Sequence, residues 1–158
     1  MEDNKIIRLL TADEIEDPHN LGALIRSAEI AGCHGVIIPK RRAVAVTEIV
    51  SKVSVGATEY MPIARVININ ETIRELKDKG VWIVGTDGSA STLYYDQDLT
   101  GPIAIVVGSE GRGMNKLTMK SCDFLVKIPM MGKITSLNAS VSGGIVMFEA
   151  LKQRINKK

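Results

Sequence analysis

A polar cluster directly before an apolar segment is the part of the chain best suited to chemistry. Thr135, Ser136, Asn138 and Ser140 precede the apolar residues that run on to Glu149. Polar loop groups need hydrogen-bond partners, and a helix that begins here offers free N–H groups and a partial positive charge. The sequence therefore predicts a ligand site at a helix N-terminus, although Ser136 and Asn138 would also suit a plain helix cap.

A second candidate is the glycine-rich segment 108–113, with the sequence GSEGRG. Its spacing matches neither the dinucleotide fingerprint nor the P-loop, and Glu110 would repel a pyrophosphate. Both features argue against NAD or ATP as the ligand of this segment. They favour an adenosine cofactor with a positive centre, of which S-adenosylmethionine is an example.

The elements that would position these residues alternate between strands and helices. A strand is predicted from Ile6, a helix from an Asn20 cap to Gly32, and a second helix from an Asn70 cap. Five consecutive aliphatic residues, 103–107, are typical of a central parallel strand. The last helix is predicted from Asn138, and residues 89–101 as an irregular connection. The apolar stripe of the last helix is predicted to contain Val141, Ile145, Phe148, Leu151 and Ile155.

This alternation predicts an α/β fold whose mostly parallel sheet is flanked by helices, formed by the single domain 1–158. Three loops, 85–88, 108–113 and 129–138, follow predicted strands. Ligands of open parallel sheets bind beyond the carboxyl ends of the strands, so we expect these loops to meet at one site.

Composition excludes several classes of protein. The 158 residues carry a net charge of +2, only two cysteines and two histidines, and no apolar run long enough for a membrane span. We therefore expect no metal, no disulfide, no membrane partner and a cytoplasmic location. The basic run Lys40-Arg41-Arg42 is more typical of solvated surface than of a nucleic-acid site.

Three motifs resemble the SpoU (TrmH) family of RNA ribose methyltransferases, in the SPOUT superfamily. They are DPHNLGA at 17–23 with Arg26, VGSEGRGM at 107–114, and IPM at 128–130 with SLNASV at 136–141. The similarity covers residues 12 to 152, and it is greatest to the bacterial branch that methylates the 2′-hydroxyl of a guanosine in large-subunit ribosomal RNA.

The resemblance implies a trefoil-knotted α/β fold, a homodimer, ribosomal RNA as the substrate and S-adenosylmethionine as the cofactor. It assigns cofactor binding to Thr86, Gly88, Gly108, Ile128 and Leu137. It assigns catalysis and substrate positioning to Arg26, Asn20, Glu110, Ser136 and Asn138.

Two features leave alternatives open. Relatives of the ribosomal branch carry an N-terminal RNA-binding domain, for which this chain has only about sixteen residues before the first motif. A transfer RNA methyltransferase and a non-catalytic RNA-binding module of the same fold are the alternative functions. By residue type alone, Arg26 is an ordinary surface arginine and Asn20 an ordinary cap.

Overall fold

A single parallel sheet of seven strands organises the chain. The computed structural model describes residues 7–11, 17–40, 52, 55–108, 114–134 and 136–157. The strands are β1 (Ile7–Thr11), β2 (Gly35–Pro39), β3 (Ile63–Val66), β4 (Trp82–Thr86), β5 (Thr92–Leu93), β6 (Ile103–Val107) and β7 (Phe124–Lys127). Their order across the sheet is β3-β2-β1-β6-β4-β7-β5, and all the pairings are parallel. The predicted fold class is confirmed.

The helices are α1 (Pro18–Ile30), α2 (Ile69–Asp78), α3 (Lys116–Ser121) and α4 (Ala139–Asn156). The spacing of Val46, Ile49, Val50 and Val53 also predicts a helix over 44–55, which lies largely outside the described residues. In the described part of the chain, no helix is both long and apolar enough to cross a membrane.

Strand β6 lies at the centre of the sheet, and all five of its side chains are buried. Ile103, Ile105 and Val107 belong to the apolar core that includes residues of α1 and α4. Ala104 and Val106 point to the opposite core, which includes residues of α2. This two-sided burial explains the uninterrupted aliphatic run and confirms its interpretation as a central parallel strand.

Helix α1 begins three residues earlier than predicted. Asp17, not Asn20, is the N-cap: its carboxylate accepts a hydrogen bond from the His19 amide at 2.9 Å, and Pro18 occupies the first turn. Proline suits this position because the first amides of a helix have no intrahelical partner. The helix ends before Gly32, whose φ of +83° is the left-handed conformation expected after a helix C-cap.

Helix α4 packs through a different face from the predicted one. Its buried residues are Ala139, Gly143, Val146, Met147 and Ala150. Val141, Phe148 and Ile155 of the predicted stripe are 47%, 41% and 67% exposed. The helix is apolar on more than one side, and the smaller residues allow it to approach α1 and the sheet. A Cβ on Gly143 would lie 2.7 Å from Leu24 Cδ2 and 3.4 Å from Val107 Cγ1.

Two further predictions were wrong in detail. Asn68 rather than Asn70 caps α2, accepting hydrogen bonds from the amides of Asn70 and Glu71. Segment 89–101 contains the edge strand β5 and a 3₁₀ turn, Tyr94–Asp96. Gln153 of α4 fixes the end of this segment, since its side-chain oxygen accepts a hydrogen bond from the Leu99 amide at 2.8 Å.

Candidate active site

Three predicted cofactor residues lie at the ends of neighbouring strands. Thr86 is the last residue of β4, whereas Gly108 and Ile128 directly follow β6 and β7. Strand β4 pairs with both neighbours, with Gly85 opposite Val106 and Thr86 opposite Val126. The parallel register therefore brings the three loop starts to one edge of the sheet, as predicted from the sequence.

The loop after β4 is fixed by hydrogen bonds to both adjacent strands. The Thr86 hydroxyl donates to the Val106 carbonyl at 3.3 Å, and the Asp87 amide donates to the Val126 carbonyl at 2.9 Å. The Asp87 carboxylate accepts hydrogen bonds from the Ser89 amide and hydroxyl. Gly88 is exposed at the turn, and a Cβ there would meet no other atom within 4 Å. Gly88 therefore leaves open space beside the strand ends.

Asp87 was not among the predicted site residues, although it shapes this loop. The available signal was its place before a glycine and a serine, a pattern in which an aspartate bonds to the main chain two residues later.

Gly85 marks a tight contact behind this loop. A Cβ on Gly85 would lie 2.7 Å from both Cys122 Sγ and Met114 Cε, so a larger residue here would require these side chains to move. Burial raises the pKa of the Cys122 thiol to about 11 and that of Cys33 to about 12. Both thiols are therefore protonated near neutral pH and serve as packing groups.

The side chains of Asn20 and Asn138 meet where α1 and α4 begin. Asn138 Nδ2 donates a hydrogen bond to Asn20 Oδ1 at 2.9 Å. Asn138 Oδ1 faces the other way and accepts from the Ser140 amide at 2.8 Å, as well as from the Ser140 hydroxyl. Asn138 is thus the N-cap of α4, as the sequence predicted, and also joins two helices. The first and third motifs are in direct contact.

The other predicted catalytic residues are not in a described contact with the Asn20–Asn138 pair. Arg26 is exposed on α1, six residues after Asn20, so its side chain leaves the helix at a different angle. Ser136 is exposed just before α4, and Leu137 is half-buried between Ser136 and the cap. Glu110 lies outside the described residues. Among the residues that are described, no group of three or more histidine, cysteine or acidic side chains could hold a metal ion.

Taken together, the fold and these contacts define an α/β protein with a candidate ligand site at the carboxyl edge of a parallel sheet. The candidate site comprises the three strand ends and the capped start of α4, which lies against β6 because a Cβ on Gly143 would be 3.4 Å from Val107 Cγ1.

Comparisons with known proteins identify the family. Residues 8–148 match the SpoU rRNA Methylase family, so the chain belongs to that family. It is 56% identical to the 23S rRNA (guanosine-2'-O-)-methyltransferase RlmB of Photobacterium profundum, over 92% of this chain and 60% of the relative. It is 51% identical to the protein of the same name from Shewanella oneidensis, over 92% of this chain and 59% of the relative.

A solved structure agrees with this assignment. The SpoU methyltransferase AviRb from Streptomyces viridochromogenes, in complex with the cofactor AdoMet, superimposes with a TM-score of 0.87 at 29% identity. The superposition covers 98% of this chain and 62% of that one. The chain spans about 60% of the length of the curated relatives it matches.

Proposed function

We propose that this chain transfers a methyl group from S-adenosylmethionine to the ribose 2′-hydroxyl of a guanosine in ribosomal RNA. The observation that carries the proposal is the Asn138–Asn20 hydrogen bond, which joins two of the three family motifs beside the strand-edge site. Two relatives of 56% and 51% identity are named for this reaction on 23S rRNA.

The strand-edge residues suit S-adenosylmethionine as a ligand. Main-chain groups just beyond β6 and β7, at Gly108 and Ile128, can pair with the edge of an adenine, which needs no charged partner. The loop of Thr86 and Gly88 lies beside them, and Leu137 adds a half-buried apolar side chain. We infer that these five residues hold the cofactor. When bound, the cofactor supplies an electrophilic methyl group on a positively charged sulfur.

The residues around the two asparagines would prepare the ribose. A 2′-hydroxyl is a poor nucleophile, so the site must orient it and stabilise the negative charge that develops on its oxygen. We assign that stabilisation to Arg26, whose guanidinium also suits a neighbouring phosphate because it can donate two hydrogen bonds at once. Arg26 is a poor proton acceptor, since a guanidinium stays charged in proteins.

Four further residues complete the proposed site. Asn20 and Asn138 orient the ribose through the amide groups that already bond to each other, while Ser136 lies exposed beside the start of α4. Glu110, in the second motif, is proposed to fix its own glycine-rich loop or the arginine.

We also propose that the protein acts as a homodimer whose interface includes α4. Val141, Phe148 and Ile155 are exposed and recur every seven residues, so they lie along one stripe of that helix. Exposed apolar stripes of this kind commonly mark contacts between proteins. Sedimentation of the wild-type chain should give a dimer, and Phe148→Glu should give a monomer.

The family resemblance supports two further proposals about organisation. The chain is one catalytic domain, and the helix from Asn138 is the segment threaded through a trefoil knot, whose cofactor-binding part is the loop 128–137. A ribosomal RNA substrate also places the reaction in the cytoplasm. A crystal structure with S-adenosylmethionine would test the knot and the five cofactor residues together.

Calorimetry with S-adenosylmethionine, NAD and ATP tests the cofactor. We expect heat of binding with S-adenosylmethionine alone. Binding of NAD or ATP in its place would contradict the proposal and favour a nucleotide-dependent enzyme of another class.

Mapping of 2′-O-methylation in cells lacking the gene tests the substrate. We expect one guanosine of large-subunit ribosomal RNA to lose its methyl group and to regain it when the gene is restored. Loss from a transfer RNA would assign a different substrate, and an unchanged map would favour a non-catalytic RNA-binding module.

A further inference from the structure

Two basic residues, Lys40 and Arg65, lie near the carboxyl edge of the sheet at β2 and β3, which are separated by β1 from the strands of the cofactor loops. Lys40 directly follows β2, and its amide donates a hydrogen bond to the Val66 carbonyl at the end of β3. Arg65 belongs to β3, opposite Ile38 of β2. Strand β3 is one of the two edge strands, so Arg65 stays exposed although its neighbours in β2 are buried. Lys40 is therefore fixed at the carboxyl edge of the sheet by its own main chain.

Arg65 points to the side of the sheet that carries the two asparagines. Successive side chains of a strand alternate between the two faces, so Arg65 shares a face with Ile63. Ile63 packs against the core that contains Leu24 of α1 and Val146 of α4. Val66 packs against the other core, with Ile73 of α2. Arg65, α1 and α4 thus lie on the same side.

The charges of these two residues have no partner in the described part of the chain. Within the described ranges, neither the Lys40 nor the Arg65 side chain makes a hydrogen bond or an ion pair. Several other cations are engaged: Lys77 lies 3.5 Å from Asp123, and Arg154 donates to the Leu99 carbonyl. Lys40 and Arg65 therefore belong to no structural network among the residues that the structure describes.

We propose that Lys40 and Arg65 bind RNA phosphates next to the nucleotide that is methylated, and we name them the β2–β3 basic pair. Neighbouring strands are about 4.8 Å apart, which places the ends of β2 and β3 roughly 10 and 14 Å from the end of β6. Those distances suit contacts with adjacent nucleotides rather than with the target ribose. Such contacts position the RNA without reading its sequence.

This inference rests on the proposed function and assigns an RNA surface within it. It also gives a role to the first residue of the basic run at 40–42, although Arg41 and Arg42 lie outside the described residues. Phosphate contacts release counterions, so they are recognised by the salt dependence of binding.

The test measures binding of a labelled single-stranded RNA oligonucleotide of mixed sequence over a range of KCl concentrations. We expect Lys40→Ala and Arg65→Ala each to weaken binding about fivefold to tenfold. Each should also reduce the slope of log K against log salt by about 0.7, the value for one lost phosphate contact on a single strand. Arg65→Lys keeps the charge and should restore most of the slope.

Arg74→Ala is the matched control. Arg74 is an exposed arginine of α2, on the opposite side of the sheet, and it should bind RNA like the wild type. S-adenosylmethionine binding, measured by calorimetry, should be the same in all the variants and shows that each is folded. The inference is wrong if the wild type does not bind the oligonucleotide, if Lys40→Ala and Arg65→Ala keep its slope, or if Arg74→Ala lowers the slope equally. Failure of S-adenosylmethionine to bind the wild type would instead contradict the proposed function.

Discussion

The side-chain amide of Asn138 donates a hydrogen bond to Asn20 across 118 residues of sequence, at 2.9 Å. The orientation of both amides follows from the rest of the network. Asn138 Oδ1 already accepts from the Ser140 amide, so its NH₂ group must face Asn20, which can then present only its oxygen. One residue therefore starts α4 and also fixes its position relative to α1.

A double-mutant cycle of Asn20→Ala and Asn138→Ala should reveal this coupling. We expect an interaction energy of about 1 kcal/mol in urea unfolding, because each single change already removes the shared hydrogen bond. The rate of methyl transfer should fall at least about tenfold in each variant, as both amides are assigned to ribose positioning. Asn68→Ala removes the cap of α2 and should cost about 1 kcal/mol without lowering the rate. Additive effects of the two asparagines would refute the coupling.

Arg26→Ala should abolish methyl transfer while S-adenosylmethionine still binds. The guanidinium is assigned to the developing negative charge, and loss of such a donor typically costs about 10² to 10³ in rate. Single-turnover assays give the rate, and calorimetry gives the cofactor affinity.

Arg26→Lys separates charge from geometry. Lysine keeps the positive charge but lacks the paired donors of arginine, so we expect only partial recovery of the rate. Near-normal turnover of Arg26→Ala would exclude the assigned role.

The two neighbouring glycines of α4 should respond to alanine with opposite signs. Gly144→Ala meets no atom closer than 3.8 Å and should stabilise the protein by up to about 1 kcal/mol, because alanine favours the helix. At Gly143 the new Cβ would lie 2.7 Å from the buried Leu24, and the resulting strain of about 1–3 kcal/mol should exceed that gain. Urea unfolding of the two variants decides the matter, and equal shifts would show that α4 does not pack as described.

Stability should fall at alkaline pH because of Cys33. Burial raises the pKa of this thiol from 9.0 to about 12, so above pH 9 the unfolded chain loses a proton that the folded chain keeps. The contribution of the protonated Cys33 thiol to the free energy of unfolding is complete below pH 9 and is lost as the pH rises toward 12. Between pH 8 and 10 the wild type should lose about 1 kcal/mol more than Cys33→Ala in urea unfolding. Parallel losses in the two proteins would contradict this burial effect.

Much of the fold could be predicted because its signals are local and strong. The run 103–107 has no polar residue, which is typical of a strand covered on both faces. The glycine-rich and polar loops could be placed at one edge because parallel strands share a direction. The predictions failed where two neighbouring residues could do the same job, as when Asp17 and Asn68 took the cap positions predicted for Asn20 and Asn70.

The packing face of α4 could not be read from the sequence for a different reason. The helix has large apolar residues on the side that is exposed, whereas its buried side combines Val146 and Met147 with the small residues Gly143, Ala150 and Ala139. A pattern based on large residues therefore favours the wrong face. The Asn20–Asn138 contact was equally hidden, because nothing in a sequence states which two helix starts will meet in space.

The place of β6 in the sheet has a consequence for biosynthesis. Ile7 of β1 pairs with Ile103 of β6, and β6 alone connects the β3-β2-β1 half of the sheet to the β4-β7-β5 half. The ribosome adds roughly 5–20 residues each second, so β1 waits several seconds for its central neighbour. During that time one edge of β1 has unpaired main-chain groups, which favour association with other chains. A nascent chain of this protein therefore exposes this edge of β1 to aggregation until its middle strand emerges.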